Sequence, residues 1–264
     1  MILFVFEGRK REPALFRTIE YLYFRDSDSV ICSYENNIYN LFKEMSESAF
    51  QMDIASILHE KWSGTDQDPF GDSRKSSDFS EVFLFFDYDC HHQNKGQVTP
   101  LADWNDQIRE MLNFFSDETG NGKLYINYPM VESIRYTKEL PDPLFHTYVI
   151  DMGKIPHFKE IAADFSFYKN LDQVCFRVSN KKVLIVPDES TFASVSENWG
   201  LLIEQNVKKA NYICFGNNEY PKNKSEIGQS AVFDHELSEF VNLNDTVSIL
   251  NSFPLFLFDY FKRL

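Results

Sequence analysis

Acidic residues at the ends of two apolar runs are the features of this sequence that suggest chemistry. The segment 81–92 reads EVFLFFDYDCHH, in which an apolar run ends at Asp87 and a second acid, Asp89, follows two residues later. An earlier apolar run, ILFVF at 2–6, is followed in the same way by Glu7. Two close carboxylates repel each other unless a cation lies between them, and hard oxygen ligands of this kind suit Mg²⁺. The pattern therefore predicts a site for Mg²⁺ or Mn²⁺ that is held by Glu7, Asp87 and Asp89.

The position of these acids depends on the elements that carry them. Short apolar runs are typical of buried strands in a parallel sheet that has helices on both faces. In such sheets the carboxyl ends of the strands meet at one edge, where ligands bind. A further acid, Glu132, follows the next predicted strand at 123–128. We therefore expect Glu7, Asp87, Asp89 and Glu132 to form one acidic pocket, in which an acid without a metal ion can act as general base.

Strands and helices alternate along the first half of the chain. This alternation predicts the α/β class, with a mostly parallel sheet flanked by helices and a mainly helical C-terminal part. We expect residues 1–150 to form a catalytic domain with a helical insertion at about 37–80, and residues 151–264 to pack on it. The pattern predicts strands at 2–6, 29–33, 81–87, 123–128 and 182–187, and helices after Pro13, at 37–61 (one or two), 101–117, 155–168, 189–208 and 226–240, and near Pro254.

Composition and charge limit the class of protein. A hydrophobic fraction of 43% and 26 phenylalanines are enough for a buried core. The net charge of −14 disfavours a broad basic surface for nucleic acid, so any such surface must be local, or a partner or metal ions must supply positive charge. The four cysteines are scattered without CxxC spacing, which indicates reduced thiols and no zinc site. No apolar stretch reaches the roughly 18 residues that span a bilayer, and we expect a cytoplasmic protein without a membrane partner.

Basic and histidine side chains near the acids are candidates for phosphate binding. Lys10 and Arg11 follow Glu7, while His91 and Lys95 follow Asp89. A cation beside an acidic pocket can hold a phosphate group. Solvated surface charges, or an ordinary loop role for the histidine, are the alternatives. The chain has no phosphate-binding loop of the Walker type, no GxSxG and no HExxH, so ATP hydrolysis, α/β-hydrolase chemistry and zinc proteolysis lose support.

The two acidic motifs together resemble a known family. FVFEGRKREPALF at 4–16, followed much later by FLFFDYD at 83–89, is similar to the Toprim domain of topoisomerases, primases, OLD-family nucleases and RloB-like phage-defence proteins. The form EG-x-K-x-E-P-x-x-F at 7–16 looks most like the RloB-like and related defence nucleases, including the Toprim effector subunit of PARIS systems. The resemblance covers roughly residues 1–150 and implies a Toprim-like sheet with an insertion between the two motifs.

Carried over to this chain, the resemblance implies roles for single residues. Glu7 matches the catalytic glutamate, Asp87 and Asp89 match the metal-binding pair, and Glu132 in YPMVES resembles an assisting acid. The implied activity is Mg²⁺-dependent cleavage of phosphodiester bonds in DNA or RNA, tRNA included, by an effector of bacterial anti-phage defence through abortive infection. The resemblance also implies a separate ATPase partner, and a homo-oligomer is left open.

Two other functions stay open. One is a non-catalytic, acidic, Toprim-like scaffold module that docks a basic partner or mimics the charge of nucleic acid. The other is a metal-dependent phosphotransfer enzyme that acts on a small nucleotide. Loss of the acids should abolish either enzymatic activity, whereas a scaffold should tolerate it. The choice between DNA and RNA, the trigger and the number of metal ions do not follow from the sequence.

Overall fold

The apolar runs of the N-terminal half form the strands of a five-stranded α/β sheet. The computed structural model describes residues 1–66, 68–70, 76–88, 90, 100–168, 177 and 189–261. The strands of the main sheet are β1 (Ile2–Phe6), β2 (Ser29–Ser33), β3 (Glu81–Asp87), β4 (Ser116–Asp117) and β5 (Gly122–Asn127). Their order is β2-β1-β3-β5-β4, with all neighbours parallel except the short edge strand β4. The carboxyl ends of β1, β3 and β5 therefore lie side by side.

Helices flank this sheet and make up most of the C-terminal part. The helices are α1 (Arg11–Tyr23), α2 (Ile38–Glu47), α3 (Ile54–Trp62), α4 (Leu101–Phe114), α5 (Phe158–Phe165), α6 (Glu189–Phe215), α7 (Gln229–His235), α8 (Asn242–Asn244) and α9 (Ser252–Tyr260). Within the described ranges, no helix is both long and apolar enough to cross a bilayer. The predicted α/β class, with its mainly helical C-terminal part, is confirmed.

An aromatic core joins the sheet to the C-terminal helix α9. Phe4 and Phe83 lie opposite each other on β1 and β3 and stack with ring centroids 5.6 Å apart, and Phe6 and Phe85 stack at 5.4 Å. Phe85 also stacks on Phe253 of α9 at 4.7 Å. Each aromatic pair of this kind contributes about 0.5–1.5 kcal/mol beyond the burial of its surface. Helix α9 is thus held against the same strands whose ends carry the acids.

Most predicted elements are confirmed, and three strands have the predicted bounds. The helical prediction at 37–61 resolves into α2 and α3, because Ala49 and Phe50 adopt positive φ values of 50° and 57° that end a helix. Helix α3 then restarts at Asp53, whose side chain accepts a hydrogen bond from the Ser56 N–H at 2.8 Å.

The C-terminal part also contains a second sheet that the sequence pattern does not predict. Strands β6 (Val149–Asp151) and β7 (Thr246–Ser248) pair in antiparallel fashion. Strands of three residues are too short to show an alternating pattern. The predicted strand at 182–187 lies outside the described residues. So does Cys175, whereas the other three cysteines are buried free thiols.

Two opposite charges are buried between α6 and the segment after α7. Lys209 and Glu236 both have 0% exposure. Lys209 Nζ donates hydrogen bonds to the carbonyls of His146 and Tyr148, and Glu236 Oε1 accepts one from the Ser248 N–H at 2.7 Å. Burial lowers the pKa of Lys209 and raises the pKa of Glu236, and each charge opposes the shift of the other. Each group therefore helps the other to stay charged, and the Ser248 N–H supports the charge of Glu236 as well.

We expect single replacements of this pair to destabilise the fold far more than the double replacement. Lys209→Met or Glu236→Gln leaves one buried charge uncompensated and should lower the free energy of unfolding by about 3–5 kcal/mol. The double variant should lose much less than the sum, as measured by urea denaturation. Lys208→Met is the control, because Lys208 pairs with Glu204 nearer the surface and should change stability by less than about 1 kcal/mol. Strictly additive losses would contradict the coupling.

Candidate acidic active site

Side chains from three adjacent strand ends are joined at the carboxyl edge of the sheet. Glu7 directly follows β1, and Asp87 is the last residue of the neighbouring strand β3. The Asp87 N–H donates a hydrogen bond to Glu7 Oε2 at 3.0 Å. Asn127, which ends β5, donates from Nδ2 to Asp87 Oδ1 at 3.0 Å. The structure thus brings the predicted acids Glu7 and Asp87 together, and it adds an amide that the sequence pattern does not single out.

Glu132 lies beside this edge in the 3₁₀ turn Val131–Arg135 that follows β5. Its carboxylate is 1% exposed, and neither oxygen has a hydrogen-bond partner among the described residues. Arg11 Nε is 3.8 Å and Lys159 Nζ is 3.9 Å from Glu132 Oε1. These distances exceed those of hydrogen bonds, so the buried charge is only partly compensated. A buried carboxylate whose oxygens lack hydrogen-bond partners is a candidate metal ligand or proton acceptor.

A fourth carboxylate, Glu12, belongs to the same cluster and is missed by the sequence pattern. Glu12 lies in the first turn of α1, is 6% exposed, and accepts a hydrogen bond at Oε1 from the Gly8 N–H at 3.2 Å. A Cβ atom at Gly8 would lie 2.6 Å from Glu12 Oε2, so a larger residue there would displace this carboxylate from its position over the loop. Burial is the main cause that raises the pKa of Glu12, and the charge of Glu132 raises it further. In the sequence, Glu12 lies near the positive end of α1 and within the motif EG-x-K-x-E-P-x-x-F, but neither feature assigns it to the acidic pocket.

The repulsion among the four carboxylates is expressed in the pKa of Asp87. Burial raises the pKa of Asp87 well above its ordinary value, and the charges of Glu7, Glu12 and Glu132 raise it further. The hydrogen bond from Asn127 lowers it and does not cancel the other causes. A cluster of this kind resists full ionisation until a cation enters.

The oxygen donors fit a hard divalent cation, and Glu7 and Asp87 are the described residues that would hold Mg²⁺ or Mn²⁺. Within the described ranges, no group of three or more His, Cys, Asp or Glu residues is already arranged to hold a metal ion. Asp89, the third predicted ligand, lies outside the described residues, as do the phosphate-binding candidates His91 and Lys95.

Asn127 connects the acidic cluster to the start of α9. It is 1% exposed, and its Oδ1 accepts hydrogen bonds from the Ser252 N–H at 3.0 Å and the Ser252 hydroxyl at 2.7 Å. With the amide oxygen occupied in this way, Nδ2 faces Asp87 as a donor. Asn251 Nδ2 in turn donates to the Val131 carbonyl, within the 3₁₀ turn after β5, at 3.1 Å. The first residues of α9 and its cap therefore orient two parts of the site.

An open groove lies beside Glu7 and has a volume of about 430 Å³. Among its lining residues, Arg9 pairs with Glu35 at 3.1 Å between Nε and Oε1. Of the predicted phosphate-binding residues, Lys10 is exposed at the start of α1, and Arg11 reaches Glu132. The groove is lined by Glu7, Gly8, Arg9, Glu35, Asn36 and Asn37.

Comparisons with models of protein families, with curated proteins and with solved structures find no match for this chain. The Toprim resemblance therefore depends on the motifs at 7–16 and 83–89 alone. In the structure, Glu7 and Asp87 from these two motifs lie at the ends of neighbouring strands.

We expect Asp87→Asn to stabilise the metal-free protein. The change removes one of four repelling charges and keeps an oxygen for the Asn127 amide, so the free energy of unfolding at neutral pH should rise by about 0.5–2 kcal/mol. Because folding raises the pKa of Asp87, the stability that this carboxyl contributes is complete below its ordinary pKa and is lost as pH rises through the raised value. Urea denaturation in the presence of a chelator should show that the difference in free energy of unfolding between Asp87→Asn and the wild type becomes smaller as the pH falls toward the ordinary pKa of 3.8.

The control is Asp164→Asn, which changes an exposed acid on α5. Its effect on the free energy of unfolding should stay within about 0.5 kcal/mol at every pH. An Asp87→Asn protein that is less stable than the wild type at neutral pH would show that the carboxylates do not repel one another as described.

Proposed function

We propose that this protein is a Mg²⁺-dependent, Toprim-like endonuclease that cleaves phosphodiester bonds in nucleic acid. The observation that carries the proposal is the cluster of Glu7, Asp87, Glu12 and Glu132 at the carboxyl edge of a parallel sheet, which is where α/β proteins bind ligands. Burial raises the pKa of Asp87, and its acidic neighbours raise it further; perturbed carboxyls of this kind are typical of functional sites.

The residues divide into ligands, a proton acceptor and orienting groups. Glu7, Asp87 and Asp89 are the proposed ligands, and a bound Mg²⁺ supplies electrostatic stabilisation of the charge that develops on the phosphate. Glu12 is the proposed general base for the attacking water, and burial raises the pKa of its carboxyl, which strengthens it as a proton acceptor. Asn127 keeps Asp87 in place through the hydrogen bond from its amide.

The proposed substrates are RNA, tRNA included, and DNA. The charge of −14 weakens unspecific binding to duplexes and suits a nuclease that is inactive until it is triggered. From the resemblance, we propose that the protein is a bacterial anti-phage effector controlled by a separate ATPase. The scaffold and the small-nucleotide enzyme are the alternatives that the following experiments distinguish.

Replacing the proposed ligands should abolish both metal binding and cleavage. Glu7→Gln and Asp87→Asn should each reduce cleavage of labelled single-stranded RNA, tRNA or DNA by at least about 10²-fold. Calorimetric titration of Mg²⁺ and Mn²⁺ should show the matching loss of affinity. Asp164→Asn should behave as wild type. Equal metal binding in all variants, without cleavage of any polymer, would support the scaffold, and turnover of a mononucleotide alone would support the phosphotransfer enzyme.

Glu12→Gln should separate proton transfer from metal binding. Gln keeps an oxygen for the Gly8 N–H but cannot accept the proton of water, so kcat should fall by about 10²–10⁴-fold while Mg²⁺ affinity changes little. The pH profile of kcat should lose its acidic limb. Glu47→Gln, at the exposed end of α2, is the matched control. An unchanged kcat in Glu12→Gln would exclude Glu12 as the base.

A further inference from the structure

We infer that Lys159 and Arg11 together form a phosphate-binding clamp at the mouth of the acidic cluster, with Lys159 as the contact contributed by the C-terminal region. This inference rests on the proposed function and adds to it a contact for the substrate backbone. The chemical group that the clamp binds is a phosphate of a single nucleic-acid strand.

The two cations converge on one buried oxygen from the solvent side. Arg11 Nε and Lys159 Nζ lie 3.8 Å and 3.9 Å from Glu132 Oε1, whereas their side chains are 50% and 65% exposed. Because both atoms are this close to one oxygen, a single phosphate group can contact both of them. The positive charge therefore lies where the buried acids meet the solvent.

The donors of both cations are available to a ligand. Neither contact with Glu132 is short enough to be a hydrogen bond, and no hydrogen bond from either cationic group is found within the described ranges. A lysine ammonium has three N–H donors and a guanidinium has five, which suit phosphate oxygens. The charge of Lys159 also lowers the pKa of Glu12, so this lysine acts on a second acid of the cluster.

The position of Lys159 is set by its backbone. Its carbonyl accepts a hydrogen bond at 2.8 Å from Arg135 Nη2, and Arg135 ends the turn that carries Glu132. The preceding residue, Phe158, is fully buried and stacks on Tyr136 at 5.5 Å. The start of α5 is thereby fixed against the acidic cluster while the lysine head remains in solvent.

Electrostatics explains the need for such a clamp. Four carboxylates repel an approaching phosphate, and the overall charge of −14 adds to this repulsion at long range. Two cations at the mouth of the site give the strand a local anchor and keep its phosphate beside the acids. A basic surface confined to this place is consistent with a strongly acidic protein.

The test is the salt dependence of binding by the full chain to fluorescent single-stranded RNA and DNA oligonucleotides in the presence of a chelator. Lys159→Gln should weaken binding several-fold and reduce the slope of log K against log salt by about 0.7, the value for one contact to a single strand. Lys159→Arg should restore both quantities. Lys154→Gln is the matched control, because Lys154 lies in the 3₁₀ turn just before α5, is 62% exposed and pairs with Asp151. It should leave the slope unchanged.

The outcomes separate the clamp from the nuclease. An unchanged slope in Lys159→Gln, with cleavage lost in Asp87→Asn, would overturn the clamp and leave the nuclease in place. A reduced slope with full cleavage by Asp87→Asn would keep the clamp and overturn the proposed catalytic site. Failure of the wild type to bind either oligonucleotide at low salt would overturn the clamp, and the nuclease would still be judged by its Mg²⁺-dependent cleavage.

Discussion

Repulsion among carboxylates at one edge of the sheet is the constraint around which the site is built. β1 and β3 pair in parallel register, so the acids that follow them are held close together. Gly8 lets Glu12 approach the same edge, Asn127 donates a hydrogen bond, and two cations lie near Glu132. None of these contacts removes the repulsion, because the pKa of Asp87 stays well above its ordinary value. Stored repulsion of this kind is typical of a site shaped for a ligand.

The aromatic core supplies the stability that holds the acids in place. Phe85 stacks on Phe6 within the sheet and on Phe253 of α9. Further rings extend this network, each pair contributing about 0.5–1.5 kcal/mol. This packing holds the strand ends together against the repulsion of the acids that follow them.

The sequence predicts those parts of the site that depend on local patterns. Glu7 and Asp87 follow unbroken apolar runs, and the order of parallel strands brings them together. Asn127 and Lys159 are not predictable in this way, because their roles depend on contacts with α9 and with Glu132 across long stretches of chain. The same limit explains β6 and β7, whose three residues each carry no periodic signal. The resemblance to Toprim nucleases, and the part played by Asp89, remain predictions.

The hydrogen bonds of Asn127 have a consequence for biosynthesis. Ser252, at the start of α9, occupies the amide oxygen and so directs the amide nitrogen toward Asp87. This arrangement exists only when α9 has docked on the sheet. A nascent chain that has left the ribosome without α9 therefore holds its strand-end acids without their orienting amide. The orientation of the Asn127 amide is therefore set only once Ser252 has been translated and α9 has packed against the sheet.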